Sequence, residues 1–303
     1  MRGKFQGLFI ALATFYRQNN LDVETLTSYL GWVLDQGIEG VVACGTTGES
    51  LALSLEEQGV ILETSLAHTK QRNIPVIAGV AAPTLYQALH QAHQAQRLGC
   101  DGLLVLTPFY VKPSQEALVA FYQNLHDETD LPILLYNNPG RAAVELSIDS
   151  IVALAQSCPR IVGLKDSSPD MTRPLALRQA LSIDFTLLSG DDPTYPAFLA
   201  HGGDGIISVT GGIVPKAFLN LRKAWQQGNS ALFSTLAQTL YPLCKAMFDT
   251  TSPGPLKDVL AHLGWGDTST RLPLNKLTQP QQQTLLAAFE MVRKDEMGQE
   301  NGV

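Results

Sequence analysis

The sequence predicts an α/β fold: a (β/α)8 barrel of the TIM-barrel type with a C-terminal α-helical extension. Short apolar runs of strand length alternate with longer segments of helical periodicity along most of the chain. Eight such strand–helix pairs follow one another, which favours a closed parallel barrel over an open sheet. No Gly-x-Gly-x-x-Gly follows the first strand, and this argues against a dinucleotide-binding open sheet.

The predicted elements divide the chain into two parts. The expected strands are 8–14, 40–44, 74–79, 102–106, 133–136, 161–165, 186–189 and 205–209. The expected barrel helices are 21–36, 54–70, 84–98, 114–126, 147–157, 171–180, 194–201 and 215–227. Three further helices, 230–248, 255–264 and 279–293, have no strands between them. We therefore expect a catalytic barrel domain over 1–228 and a helical extension over 229–303.

Composition excludes several classes of function. The chain has 303 residues, 45% of them hydrophobic, and a net charge of -7, so it can bury a large core. It has no basic run, which argues against nucleic-acid binding. No segment approaches the length of a membrane span, and the apolar run at 8–10 is too short for a signal peptide. The four scattered cysteines argue against a disulfide framework or zinc site and fit a reducing cytoplasm.

Polar residues follow the ends of the predicted strands. In barrels of this kind the active site lies at the carboxyl ends of the strands, so these side chains should meet on one rim. The residues in question are Thr46, Thr47, Tyr110, Tyr136, Arg141, Lys165, Gly190 and Ser208. A second pattern, His90-x-x-His93, has helical spacing for a metal pair, but it lies on a polar helix face far from the strand ends. We expect no metal site.

Lys165 is the candidate for chemistry because it ends a buried apolar strand. A free lysine, with a pKa of about 10.4, is almost wholly protonated at pH 7 and cannot attack a carbonyl. Burial in an apolar barrel mouth can lower such a pKa to about 7–8, and the matching chemistry is a Schiff base with a ketone. The same position is compatible with snorkelling to solvent, an ion pair with Asp166, or phosphate binding.

Three other rim residues have both a functional and an ordinary interpretation. Tyr136 ends the neighbouring strand and is close enough to move protons at Lys165, but it is also a typical packed core residue. Thr47 lies in a Gly45–Gly48 loop whose N–H groups suit a carboxylate, but its hydroxyl also suits a turn. Arg141 follows a Pro-Gly turn and can grip a carboxylate with two hydrogen bonds, or lie on the surface.

These segments together resemble the dihydrodipicolinate synthase / N-acetylneuraminate lyase family of pyruvate-dependent class I aldolases. The resemblance covers nearly the whole chain. It rests on Gly45-Thr46-Thr47-Gly48-Glu49-Ser50, Thr107-Pro108-Phe109-Tyr110, Tyr136-Asn137-Asn138-Pro139-Gly140-Arg141, Gly163-Leu164-Lys165-Asp166, Leu188-Ser189-Gly190-Asp191-Asp192 and Gly205-Ile206-Ile207-Ser208-Val209. The paired threonines and the arginine most resemble the synthase branch. Lys165-Asp166-Ser167-Ser168 departs from the Lys-Glu-Ala common there and resembles some sugar-acid aldolases of the family.

The resemblance implies a lyase of lysine biosynthesis, in the diaminopimelate pathway. Lys165 would form an imine with pyruvate, and the derived enamine would attack aspartate semialdehyde, with no cofactor and no metal. The residues expected to relay protons are Thr47, Tyr136 and Tyr110, the last from a neighbouring subunit of a homodimer or homotetramer. The residues expected to bind substrate are Thr46, Thr47, Arg141, Gly190 and Ile207.

Two alternative functions remain open. One is another pyruvate aldolase of this family, acting on a 2-keto sugar acid or hydroxy-oxo acid. The other is a non-enzymatic binding protein on the same scaffold. The resemblance also predicts weak or absent inhibition by lysine, because the positions that match the family's lysine site lack the expected polar groups: Leu55, Gln58, Pro83, Gln87 and Phe109.

Overall fold

Eight parallel strands close into a barrel, as the alternation of strands and helices predicts. A computed structural model describes the backbone of residues 3–300 and the side chains of residues 3–294. The barrel strands are β1 (Gly7–Ala11), β4 (Gly40–Ala43), β5 (Val76–Val80), β6 (Gly102–Leu106), β7 (Ile133–Asn137), β8 (Ile161–Asp166), β9 (Thr186–Ser189) and β10 (Gly205–Ser208). Two further strands, β2 (Tyr16–Arg17) and β3 (Asn20–Leu21), lie outside the barrel. The barrel order is β1-β10-β9-β8-β7-β6-β5-β4, and β4 pairs with β1 to close it.

Helices follow the barrel strands and cover the outside of the barrel. They are α1 (Val23–Asp35), α2 (Leu55–Thr69), α3 (Leu85–Leu98), α4 (Gln115–Asp127), α5 (Pro139–Ala142), α6 (Ile148–Ser157), α7 (Arg173–Ala180), α8 (Tyr195–Ala200), α9 (Pro215–Gln226), α10 (Ser230–Ala246), α11 (Gly254–His262) and α12 (Gln279–Glu300). Local capping sets several of the starts. Ser54 accepts a hydrogen bond from the Glu57 N–H and Glu57 returns one to the Ser54 N–H, which confirms the predicted capping box at α2.

The short strands β2 and β3 and the four-residue helix α5 were not predicted from the sequence. β2 and β3 form an antiparallel hairpin whose turn residues, Gln18 and Asn19, both have positive φ angles of 52° and 66°. Both central residues of a type I′ turn take such angles. Strands of two residues are too short to produce a recognisable alternation, which is why the pattern of apolar residues did not reveal them.

The apolar core has two layers, one inside the barrel and one between strands and helices. The inner layer is formed by side chains such as Phe9, Val42, Ile77, Leu104 and Leu188. Alternate residues of the same strands face outward and pack against the helices, because successive side chains of a strand point to opposite faces. Residue position along a strand therefore decides which side chains can reach the interior of the barrel mouth.

The helices after α9 pack against the barrel and belong to the same continuous outer core. Leu240 of α10, Leu260 of α11 and Phe289 of α12 are buried in it. The outermost residues of the two predicted parts, 1–2 and 301–303, lie outside the described residues. Over the part of the chain that the structure describes, no helix is both long and apolar enough to span a membrane.

Polar contacts also join the extension to the barrel mouth. Lys257 of α11 forms a buried ion pair with Glu49 in the loop after β4. The Arg271 N–H donates to the same carboxylate over 2.9 Å. The Arg271 guanidinium grips both oxygens of Glu57 at the start of α2, with distances of 2.6 and 2.7 Å. The extension therefore holds the loop that carries Thr46 and Thr47.

Candidate active site

Lys165 lies near the end of β8 with its side chain inside the barrel mouth. It is 7% exposed, so it does not snorkel to bulk solvent. Its Cα pairs with that of Tyr136 on β7, and its Nζ lies 4.3 Å from the centroid of the Tyr136 ring. Among the described residues, no carboxylate forms an ion pair with this amine. The lysine is therefore buried beside a phenol and is not neutralised by an acid.

Asp166 does not pair with Lys165, so that alternative for the lysine is wrong. Asp166 is the next residue of β8 and points to the opposite face of the strand. Its carboxylate accepts hydrogen bonds from Arg173 Nε over 2.8 Å, Asn137 Nδ2 over 3.0 Å and the Ser168 N–H over 2.9 Å. A buried carboxylate satisfied in this way is structural, and it leaves the amine available.

The Tyr136 phenol is buried and surrounded by hydrogen-bonding side chains. Asn138 Nδ2 donates to the phenol oxygen over 3.0 Å. Burial alone would raise the pKa of Tyr136. The Lys165 cation and the hydrogen bonds from neighbouring side chains outweigh burial and lower that pKa from 10.0 to about 8. The donors are Asn138, Ser167 and Thr46. Tyr136 is thereby suited to give and take protons near neutral pH.

Thr46 and Thr47 lie in the loop between β4 and α2, at the mouth of the barrel. Thr47 is buried, Thr46 is half-buried, and both line the cavity that contains the lysine. Within the described chain, neither of their backbone N–H groups has a hydrogen-bond partner. The loop is folded by bonds from the Glu49 N–H to Thr46 O and from the Ser50 N–H to Gly45 O. Thr46 and Thr47 therefore contribute polar donors to the lining of the cavity, the kind of group that binds a small anion.

The cavity above Lys165 has a volume of about 60 Å³, which is room for a few water molecules. Gly190 makes part of this room. A Cβ on Gly190 would lie 2.0 Å from Ser167 Oγ and 2.8 Å from Lys165 Cε, so a side chain there would displace the lysine. Ile207 of β10 is buried and forms another part of the wall. A cavity of this size, with an amine on one side, suits a small carbonyl acid.

Arg141 stands at the rim where this cavity meets a larger one of about 490 Å³. It belongs to α5, which begins at Pro139. The preceding residue, Asn138, caps the helix by accepting from the Arg141 N–H over 3.2 Å. The guanidinium lines both cavities, together with Thr46. Arg141 is exposed, and a guanidinium at such a rim can bind a carboxylate through two hydrogen bonds.

Tyr110 does not reach the cavity of its own chain. It is 89% exposed and has a positive φ of 74°, an uncommon conformation for an aromatic residue. Other large apolar side chains on this side are also exposed, with Leu51 at 67% and Leu272 at 84%. Of the predicted catalytic residues, Lys165, Tyr136 and Thr47 come together within the chain and Tyr110 does not.

The positions that match the family's lysine site are partly occupied by internal contacts. Gln58 is buried, and its amide donates to Ser50 O over 3.2 Å. Phe109 lines the 490 Å³ cavity with an apolar ring. Gln87 accepts a hydrogen bond from Thr84 Oγ1 over 3.1 Å at the start of α3. Weak or absent inhibition by lysine stays a prediction.

Two side chains at the site were missed by the sequence reasoning. Asn138 donates a hydrogen bond to the Tyr136 phenol, and Ser167 lies beside Lys165 and helps to lower the pKa of Tyr136. The sequence reasoning gave neither residue a role. Asn138 was visible only as part of the motif around the Pro-Gly turn. Ser167 was visible as a departure from the family pattern. Neither signal indicates which atom the side chain would face.

Comparison with known proteins agrees with this geometry. The model of the Dihydrodipicolinate synthetase family matches residues 4–292. The 4-hydroxy-tetrahydrodipicolinate synthase of Rhodospirillum centenum is 39% identical over 285 residues, which cover 94% of this chain and 97% of that protein. The structure of the synthase of that name from Methylacidiphilum fumariolicum has a TM-score of 0.95 at 32% identity, covering 98% of this chain and 99% of the other.

A second structure, the dihydrodipicolinate synthase from Aquifex aeolicus, has a TM-score of 0.92 at 33% identity and covers 95% of this chain and 98% of its own. These similarities extend over almost the entire chain and include all eight strands of the barrel. The chain belongs to the dihydrodipicolinate synthetase family.

Proposed function

We propose that this chain is a Schiff-base lyase with 4-hydroxy-tetrahydrodipicolinate synthase activity, which condenses pyruvate with aspartate 4-semialdehyde in lysine biosynthesis. The observation that carries the proposal is the buried Lys165 amine, free of any ion pair among the described residues and 4.3 Å from the Tyr136 ring centroid. The names of the relatives support the same reaction.

The chemistry begins at the lysine. The neutral Lys165 amine attacks the pyruvate ketone, and the carbinolamine loses its hydroxyl as water after taking a proton from Tyr136. Loss of a proton from the methyl group converts the imine into an enamine. The enamine carbon then attacks the semialdehyde aldehyde, forming the new carbon–carbon bond. The substrate amine finally attacks the imine carbon, closes the ring and releases Lys165.

The surrounding groups bind and orient the two acids. The loop of Thr46 and Thr47 would hold the pyruvate carboxylate, with Gly190 and Ile207 forming the walls. Arg141, at the rim, would take the carboxylate of the semialdehyde. Because the protonated imine itself serves as the electron sink, the reaction needs no added cofactor or metal.

We further propose that Tyr110 completes the relay from a neighbouring subunit, in a homodimer or homotetramer. Its exposure, shared with Leu51 and Leu272, supports a covered position in an assembly. The buried, unpaired state of all four cysteines supports a cytoplasmic location.

One experiment tests the enzyme proposal directly. The protein is incubated with pyruvate and reduced with borohydride, and mass spectrometry then locates the adduct. We expect a pyruvate adduct on Lys165 and none in Lys165→Ala. If the wild-type protein forms no adduct, both the synthase function and the alternative aldolase function are excluded. If turnover occurs with a sugar-derived acid and not with pyruvate and the semialdehyde, the result supports the alternative aldolase function.

The contribution of Tyr110 is testable by mixing two inactive variants. In a mixed oligomer of Lys165→Ala and Tyr110→Phe, a site with intact Lys165 can receive intact Tyr110 only from its partner. We expect mixing and subunit exchange to restore activity that neither variant shows alone. Failure to restore activity in verified mixed oligomers would mean that Tyr110 does not act across subunits.

A further inference from the structure

Ser167 is held in one place directly beside the reactive lysine. It follows β8, and its N–H donates to Asn137 O on β7 over 2.9 Å. Its hydroxyl donates to Gly190 O, after β9, over 3.0 Å. These two bonds fix the serine between the ends of the neighbouring strands. Its orientation is therefore set by the barrel and not by solvent.

The space around Gly190 shows how close Ser167 lies to the chemistry. A Cβ built on Gly190 would be 2.0 Å from Ser167 Oγ and 2.8 Å from Lys165 Cε. The hydroxyl and the lysine stem therefore fill the volume that a side chain at this position would need. The same hydroxyl is one of the groups that lower the pKa of Tyr136. The Cα of Tyr136 pairs with that of Lys165, two residues before Ser167.

The donors around Tyr136 differ in what they can do. The Asn138 amide nitrogen can only donate, so it favours the phenolate at all times. A serine hydroxyl can accept from a phenol or donate to a phenolate, since it carries both a proton and lone pairs. Lys165 is the cation that faces the phenol, and Arg141 is the next one at the rim of the cavity.

We propose that Ser167 is a positioning residue for Tyr136, whose hydroxyl turns from the Gly190 carbonyl to the phenol oxygen when Tyr136 gives up its proton. The inference rests on the proposed imine chemistry. Tyr136 transfers its proton to the departing carbinolamine hydroxyl, which leaves as water, and the Ser167 O–H turns to donate to the new phenolate. Ser167 itself neither gains nor loses a proton, and the phenolate later recovers one from the reacting carbon or water.

The test is a titration of Tyr136 that needs no substrate. Phenolate absorbance is followed against pH in the wild-type enzyme and in Ser167→Ala, and the Tyr136→Phe version of each is subtracted. The wild-type phenol should titrate near pH 8. Loss of a hydrogen bond to the charged oxygen should move the midpoint up by about one pH unit. The rate of imine formation with pyruvate near neutral pH should fall by roughly three- to tenfold.

The adjacent Ser168 provides a matched control. Its hydroxyl is buried without a hydrogen-bond partner among the described residues, so Ser168→Ala should leave both the titration and the rate unchanged. An unshifted midpoint in Ser167→Ala would overturn the proposal. So would an effect confined to the KM of the second substrate, because that result indicates a direct substrate contact.

This result is separable from the proposed function. If wild-type protein forms no adduct with pyruvate, the imine reaction is refuted while the titration can still be read. If the adduct forms but the titration midpoint of Tyr136 is the same in Ser167→Ala as in wild type, the proposed synthase activity is retained and the proposed role of Ser167 is refuted.

Discussion

Replacing Lys257 with methionine should both destabilise the protein and weaken the proposed pyruvate site. Lys257 Nζ contacts the Glu49 carboxylate and Ser269 O, the latter over 2.5 Å, and stands 4.4 Å from the Tyr16 ring centroid. The side chains of the pair are 1% and 0% exposed. Burial lowers the pKa of Lys257, although Glu49 acts against that shift. The pair is thus fully removed from water.

The magnitude follows from leaving one charge without its partner. In Lys257→Met, the Glu49 carboxylate keeps, among the described residues, the hydrogen bond from the Arg271 N–H at 2.9 Å. Removal of one partner of a buried pair typically costs about 3–5 kcal/mol, which is roughly a hundredfold or more in the folding equilibrium. Removing both charges in Glu49→Gln/Lys257→Met should recover most of this loss, because no unpaired charge then remains.

The assay is urea unfolding followed by circular dichroism, with the KM for pyruvate measured on the folded variants. Because the Glu49 N–H is bonded to Thr46 O, we expect the single variant to raise that KM as well. Lys223→Met, at an exposed position on α9, is the control and should change stability by less than about 0.5 kcal/mol. A single variant within about 1 kcal/mol of wild type, or a double variant as unstable as the single, would refute the reasoning.

Three more predictions concern the site. Arg141→Ala should raise the KM for aspartate semialdehyde by roughly ten- to a hundredfold, because a charged hydrogen-bonding pair is lost. Trapping of pyruvate on Lys165 should be unchanged. Equal losses for both substrates in steady-state kinetics would contradict this prediction. Gly190→Ala should slow imine formation, since the new Cβ would meet Ser167 Oγ at 2.0 Å and Lys165 Cε at 2.8 Å. In Gly190→Ala/Ser167→Ala, the rate of imine formation measured by rapid mixing should recover in part, because the clash with Ser167 Oγ is removed. Without any recovery, the clash with Lys165 would be the main cause of the slower rate. Sub-millimolar lysine should leave turnover unchanged, and inhibition by it would show that the substituted positions still form a lysine site.

Local sequence determines the elements of this fold. An apolar run of strand length between turn residues predicts a buried strand, and all eight predicted barrel strands are present. The capping box of Ser54 and Glu57 fixes the start of α2 through contacts three residues apart. The placement of Lys165 at the end of a strand, and hence at the barrel rim, follows from the same local pattern. These features need only short-range information.

Tertiary structure decides which side chains meet. Asp166 follows Lys165 directly, yet the alternation of β8 directs it to Arg173, and no carboxylate among the described residues forms an ion pair with the amine. Glu49 and Lys257, 208 residues apart, meet because α11 packs on the barrel mouth. Strand pairing places Tyr136 beside Lys165 and brings Ser167 close to both strands, where it helps to lower the pKa of Tyr136. Neighbouring residues in the sequence do not predict this arrangement. The sequence alone therefore indicates Lys165 as the candidate for the proposed chemistry, while barrel closure selects the groups that surround its amine.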